Sequence, residues 1–439
     1  MQSLKDKDKQ YIWHPFTSLT SAPEPIPIVK GEGVYLVDET GNRYIDAISS
    51  WWVNIHGHAH PYIAEKIYQQ ALQLEQVIFA GFTHRPAIEL AERLMAVLPG
   101  NFSKIFYSDN GSTSTEVAVK MALQYWWNKS SEKKTEKTKI LAFKNSYHGD
   151  TFGAMSVSDR SIFTMAFQDK LFDVIFIDTP TTENLSELKE VIRLHAQHTA
   201  AFIYEPLLQG AGGMKMYDAM LMDELIFTCR HNDIICIADE VMTGFGRTGR
   251  LFASEYMKAK PDIICLSKGL TGGTMALGVT ACTQNIVDAF LSEDKLKTFF
   301  HGHSFTANPL ACTAALASLD LLQKDSCQQN LASICSNNRN FIEELKKYNN
   351  VKNARCLGTI IAFEYISDDY DYLNNISQVI TTYMLQKGIY MRPLGNTIYL
   401  MPPYCITMEE LHVVYDAVIK LIKDEVDSRI NNDIKEMIE

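Results

Sequence analysis

The chain has 439 residues, 46% of them hydrophobic, ample for a large core and long enough for two or three domains. A formal net charge of −11, from 41 basic and 52 acidic residues, argues against a nucleic-acid partner. Nine scattered cysteines without a Cys-x-x-Cys pair, and no apolar run of membrane-spanning length, lead us to expect a reduced, cytoplasmic protein with no membrane partner and no metal centre.

The opening residues are polar, but Tyr11-Ile-Trp-His-Pro-Phe16 gathers aromatics around a proline and is expected to dock on a core. Val34 to Asp46 reads as a β-hairpin turning at Asp38-Glu-Thr-Gly-Asn42. Trp51 and Trp52 follow beside Gly57 and two histidines, either as an aromatic pocket wall or as core. Residues 61–99 carry helical periodicity, broken near 80–83. Lys104 to Tyr107 is a short strand, and Ser108 to Thr113 a turn. The next helix lines up Val117, Ala118, Met121, Ala122 and Tyr125 on one face. Thr113 and Glu116 fit a capping box at its start, where Gly111 and Ser112 offer amides for an anion. An ordinary strand–turn–helix is the commoner meaning of such a pattern.

Residues 130–138 form a charged, solvated loop. Ile140 to Phe143 is a strand leading to Tyr147, whose ring is suited to stack on a flat ligand. Ala201 to Tyr204 is another strand, ending in Glu205-Pro206. Ile234 to Ala238 and Asp262 to Leu266 are apolar, β-branched runs. Asp239 ends the first, and Ser267-Lys268-Gly269 follows the second. This rhythm predicts an α/β fold with a doubly wound, mostly parallel sheet.

In open α/β sheets, ligands bind outside the carboxyl ends of the strands, so Asp239 and Lys268 are expected to face one pocket. A desolvated lysine is a ready nucleophile. A lysine for a Schiff base, with an aspartate to hold a pyridine nitrogen protonated, is the pairing that pyridoxal phosphate requires. An Asp–Lys ion pair at the sheet edge is the competing reading. Beyond Pro309 a long Ala/Leu helix begins. From about 330 the pattern becomes α+β, with strands at 358–365 and 397–401, a last helix from Met408, and Arg392 in a loop between.

Residues Asp239-Glu-Val-Met-Thr-Gly-Phe-Gly-Arg-Thr-Gly249 and Ser267-Lys268-Gly269 make the chain resemble the fold-type I, class III aminotransferases that use pyridoxal 5'-phosphate. The resemblance spans roughly residues 10–425. Trp13-His-Pro-Phe16, Ser50-Trp-Trp52, Met121 to Trp126, Tyr147 to Ser156, Gln209 to Met214 and Leu400 to Tyr404 are similar to the biotin-pathway branch of that class. In that branch 8-amino-7-oxononanoate takes the amine by a ping-pong route, from S-adenosylmethionine in most members and lysine in some. The resemblance implies a large cofactor-binding domain at 61–325 and a small α+β domain at 326–439, which residues 1–60 join.

It also implies roles. Lys268 is the Schiff-base lysine and proton shuttle, Asp239 pairs the ring nitrogen, Gly111 and Ser112 bind phosphate, and Tyr147 lines ring and substrate. His303 and Ser304 match a segment that reaches the phosphate across a homodimer interface. Phe16, Trp51, Trp52, Arg247, Gly302 and Arg392 match positions at the substrate, Arg392 as the partner of a carboxylate. Phe16 stands where many members have tyrosine, and His303 where some have proline. Both departures bear on the amino donor. Another class III ω-aminotransferase, or a non-catalytic pyridoxal-phosphate binder, are the alternatives; the tryptophan pair argues against the first, and the intact Lys268 and Asp239 against the second.

Overall fold

The computed structural model describes residues 3–132, 134–366 and 376–423. Position 133 of the charged loop and positions 424–439 of the expected small domain lie outside the described residues.

Seven strands form the central sheet, in the order Phe102–Ser108, Gly278–Thr283, Ile263–Leu266, Ile235–Asp239, Thr199–Tyr204, Lys139–Phe143 and Val174–Ile177. Only Gly278–Thr283 runs against the others. The inner strands read as unbroken apolar runs because both faces are covered. Successive side chains still separate. Ile235, Ile237 and Ile263 pack with Val117, Ala118 and Ala122 of the helix Gly111–Lys129. Cys236, Ala238 and Ile264 pack on the opposite face with Leu90 and Leu94 of Arg85–Val97 and with Ala311 and Ala315 of Pro309–Leu322. That is the period of two expected of a strand, with a core on each side.

Three smaller sheets accompany it, the least of them the two-stranded pair Leu208–Gln209 and Lys215–Met216. Ile28–Glu32, Tyr35–Asp38 and Arg43–Asp46 form an antiparallel meander, and Ile389–Tyr390, far along the chain, pairs parallel with Arg43–Asp46. Val351–Leu357, Ile360–Tyr365 and Thr397–Leu400 form the third. Of the strands in these last two sheets, sequence reading missed three, among them the two-residue Ile389–Tyr390. Ile28–Glu32 is a largely exposed edge strand, and Val351–Leu357 has a register shift between Lys352 and Arg355 that breaks its alternation. Among the described residues, no helix is long and apolar enough to cross a membrane.

The helical stretch 61–99 is broken as expected, into Pro61–Ala71 and Arg85–Val97, started by His60 and His84, whose rings accept from Tyr62 N–H and Ala87 N–H. Two expectations need correction. The capping box at Gly111 is formed by Asn110 and Thr113, not Thr113 and Glu116. Asparagine is the better cap because its carbonyl oxygen reaches the Thr113 amide at 2.9 Å while Thr113 Oγ1 closes the box. The aromatic arm is not docked in the single chain: Tyr11 is 75% and Trp13 77% exposed. Among the described residues, Phe16 alone of the arm finds ring partners, edge-on to Trp51 and Phe163.

Candidate active site

The strands Ile235–Asp239 and Ile263–Leu266 lie side by side in parallel, with Asp239 opposite Cys265. Their carboxyl ends therefore open on one side. There a cavity of about 390 Å³ is lined by Lys268, Asp239, Glu205, Tyr147, His148, Gly111, Ser112 and Trp52, among others. Lys268 sits in the left-handed region, φ 46°, on the turn that follows its strand. A non-glycine residue pays about 1 kcal/mol for that backbone, a strain typical of functional positions. Its Nζ lies 4.5 Å from the centre of the Trp52 ring. Among the described residues, Lys268 has no carboxylate within ion-pair distance, so the simple Asp–Lys ion pair does not form. Burial pushes its ammonium group down to about 8, against the pull of the Asp239 and Glu205 carboxylates.

Asp239 is 5% exposed. Its Oδ2 is 2.7 Å from His148 Nδ1, and its Oδ1 accepts from Val241 N–H at 3.0 Å. His148 is equally enclosed, and its Nε2 has no hydrogen-bond partner among the described residues. Neither His148 nor Glu205 was singled out from sequence as a site residue. Both carried a signal: His148 follows Tyr147, and Glu205 ends a central strand as Asp239 does.

The helix Gly111–Lys129 points its start at the same cavity. Its first amides lack partners within the helix; the Asn110 side chain takes that of Thr113 and the Asn110 carbonyl that of Ser114, which leaves the Gly111 and Ser112 amides at the tip. The loop carrying Tyr147 is bound to this helix. Asp150 N–H donates to Ser112 Oγ at 3.2 Å, and Glu116 Oε2 accepts from Thr151 Oγ1 and Ala154 N–H at 2.7 and 3.0 Å. Gly149 is required at the crossing, since a Cβ there would lie 2.2 Å from Ser112 Oγ. Tyr147 donates its hydroxyl to Asp150 at 2.8 Å, and burial, with Asp150 beside it, keeps that hydroxyl protonated.

The tryptophan pair divides. Trp52 is 4% exposed, lines the cavity and donates from Nε1 to the Tyr399 hydroxyl at 3.0 Å. Trp51 stays 43% exposed at the rim, 5.6 Å from Phe16 between ring centres and 5.2 Å from the Arg392 guanidinium. Ser49, Ser50 and Trp52 all have positive φ. Asp46 holds this kinked segment, accepting from Ser50 N–H at 2.6 Å and lying 2.9 Å from His58 Nε2.

Arg247, expected at the substrate, is 1% exposed and is not among the residues that line the cavity. Its guanidinium donates to the carbonyls of Pro402, Trp52 and Asn54 and lies over the Tyr404 ring. It braces the Trp52 backbone from behind. Gly302, His303 and Ser304 also stand away from the cavity of their own chain. His303 N–H donates to Thr306 Oγ1, and the Ser304 carbonyl accepts from Gln76.

The cavity's chemistry suits pyridoxal phosphate. It offers unpaired amides at a helix start for a phosphate, an enclosed carboxylate for a ring nitrogen, an amine of lowered basicity, and an aromatic side chain beside the space between them.

Comparison with known proteins agrees. Residues 17–422 match the family model described as aminotransferase class-III. The chain is 46% identical over 427 residues to the adenosylmethionine-8-amino-7-oxononanoate aminotransferase of Synechococcus elongatus, covering 95% of this chain and 99% of that one. The crystal structure of the enzyme of that name from Methanocaldococcus jannaschii superposes with a TM-score of 0.92 at 38% identity, covering 96% and 98% of the two chains. An omega transaminase from Pseudomonas jessenii, in complex with PMP, gives 0.90 at 27%, covering 97% and 98%. The chain belongs to the class-III aminotransferases, enzymes of the fold-type I architecture whose cofactor is pyridoxal 5'-phosphate.

Proposed function

We propose that this chain transfers an amino group from S-adenosylmethionine to 8-amino-7-oxononanoate, forming 7,8-diaminononanoate for biotin biosynthesis in the cytoplasm. The observation that carries the reading is the meeting of Lys268, Asp239, Tyr147, Trp52 and the Gly111 helix start in one cavity, in a chain so similar to relatives of that name.

When bound, pyridoxal phosphate supplies a carbonyl carbon that takes up an amine and a ring that holds the electron pair left when the adjacent C–H bond breaks. Gly111 and Ser112 would hold the phosphate through their amides. Asp239 would keep a proton on the ring nitrogen, with His148 fixing the direction of its carboxylate, and Tyr147 would flank the ring. Lys268 would hold the cofactor through Nζ and, with that amine free, would carry the proton taken from the donor's α-carbon. Trp52, Trp51 and Phe16 make an aromatic wall for the apolar acceptor chain, and Arg392 holds a carboxylate bidentately at the rim.

The active unit in this reading is a homodimer. Gly302, His303 and Ser304 complete the partner's site, which is supported by their distance from their own cavity and by the exposure of Phe300 and Phe305 beside them. The division into residues 61–325 and 326–439, with 1–60 joining the smaller part, belongs to the same reading. It is supported by the separate central sheet and the pairing of Arg43–Asp46 with Ile389–Tyr390.

The test is a panel of amino donors with 8-amino-7-oxononanoate as acceptor. Product with S-adenosylmethionine is expected. Product with lysine alone would replace the donor, and no product with any donor would remove the acceptor. For the shared site, mixing Lys268→Ala chains with a His303→Ala, Ser304→Ala double variant should restore activity in the hybrid dimer.

A further inference from the structure

Glu205 ends the strand Thr199–Tyr204 and is 5% exposed, with a carboxylate committed to two backbone amides. Oε1 accepts from Tyr147 N–H at 3.1 Å, and Oε2 accepts from Gly210 N–H at 2.8 Å. The two amides reach two aromatic walls of the cavity. Tyr147 lines it directly. Gly210 is packed behind Trp52 and Met242, which also line it: a Cβ there would lie 3.2 Å from Trp52 Cζ3 and 2.9 Å from Met242 Cε. One buried carboxylate thus spans from the tyrosine side to the tryptophan side.

We propose that Glu205 is a positioning residue that fixes the spacing of the Tyr147 and Trp52 walls, and through it the fit of the flat cofactor and the apolar acceptor chain. The proposal rests on the function read above for this cavity. A carboxylate suits the task because both oxygens accept, whereas an amide or a protonated acid presents one donor to an N–H. The surrounding charges are His148 and Asp239 on neighbouring elements and Lys268 across the cavity, with the Tyr217 hydroxyl on the Glu205 carbonyl. Burial pushes the carboxyl group up to about 7, with His148 opposing and Asp239 reinforcing the shift. Below that pH the bridge loses one of its two acceptors, as it would in Glu205→Gln.

The experiment uses the cofactor-loaded enzyme. Glu205→Gln should raise KM for 8-amino-7-oxononanoate about tenfold, the worth of one buried hydrogen bond, with kcat changed less than about threefold. Wild-type KM should rise as the pH falls through about 7, and the glutamine variant should lack that rise. Near-ultraviolet circular dichroism should differ between the wild-type and Glu205→Gln enzymes, and the difference should vanish in a Trp52→Phe background. Gly210→Ala, which presses on Trp52 with Glu205 intact, should also raise KM, and it decides the matter if Glu205→Gln does not fold. An unchanged KM in both variants overturns the proposal, as does a fall in kcat alone. If wild-type enzyme fails to turn over this acceptor, the reading of function falls, while the dichroism comparison still decides the role of Glu205.

Discussion

The two ends of the central sheet each hold a lysine whose ammonium is disfavoured by burial, and they treat it in opposite ways. At the amino-terminal end Lys137 Nζ donates to four carbonyls, those of Ala196, Thr199, Asn232 and Asp233, at 3.1, 3.3, 3.2 and 2.6 Å. Two of these close helices, where a cation also meets the negative end of the helix dipole. Trp126 lies beneath it at 4.4 Å. At the carboxyl end Lys268 has an aromatic face but, among the described residues, no hydrogen-bond acceptor. Burial lowers the basicity of both, with Asp233 and Cys229 opposing at Lys137. Desolvation alone therefore does not make a nucleophile. Lys137 is fixed by a full set of acceptors, while Lys268 keeps its lone pair available.

The sharpest test of this contrast is Lys268→Ala. It should abolish turnover and the borohydride-trappable cofactor link while leaving the unfolding midpoint of the cofactor-free protein nearly unchanged; a variant with wild-type transamination sinks the assignment. Next in size is Asp239→Asn, which should retain cofactor but slow the donor half-reaction, followed by stopped-flow absorbance, by several orders of magnitude. An unchanged rate would leave Asp239 a structural residue like Lys137. Lys137→Met should do the reverse of Lys268→Ala. It should cost about 2 kcal/mol of stability, the range for hydrogen bonds to a charged group, with kcat per folded molecule intact.

The amine chemistry gives a pH test. The Lys268 ammonium titrates near 8, below its ordinary value, so free amine grows as the pH rises through 8. Loading of cofactor-free protein with pyridoxal phosphate should quicken over that interval and level off above it; a rate still climbing toward pH 10 would mean an ordinary lysine. The smallest effect is expected at the rim. Phe16→Tyr restores a hydroxyl beside Trp51 and should improve turnover with S-adenosylmethionine by up to about tenfold, one hydrogen bond's worth. A loss of turnover would show that the rim is built for a phenyl ring.

Lys268 and Asp239 were legible because each interrupts an apolar strand at its carboxyl end, a place where chain order alone predicts convergence. The helix start at Gly111 was legible for a similar reason, although the cap is Asn110. What sequence obscured depends on direction. Arg247 lies within the motif that ends the Asp239 strand, yet its side chain turns inward to backbone carbonyls. Trp51 and Trp52 are adjacent, and the positive φ at Ser50 and Trp52 sends one to the rim and one inward. Glu205 was read as the end of a strand, but its two amide partners come from residues 147 and 210, a pairing that no local pattern encodes.

The joining of the chain's two ends has a consequence for its birth on the ribosome. The Trp52 segment is held by Tyr399 through its indole and by the Met401 carbonyl through Ser49, while Arg43–Asp46 waits for Ile389–Tyr390. Domains generally fold as they are made, amino end first. Here the catalytic wall must stay unfinished until residues 389–401 have been made. A nascent chain truncated before residue 389 would carry Lys268 and Asp239 yet have no second wall, so the reactive lysine gains its full surroundings only once that late segment has emerged and folded back.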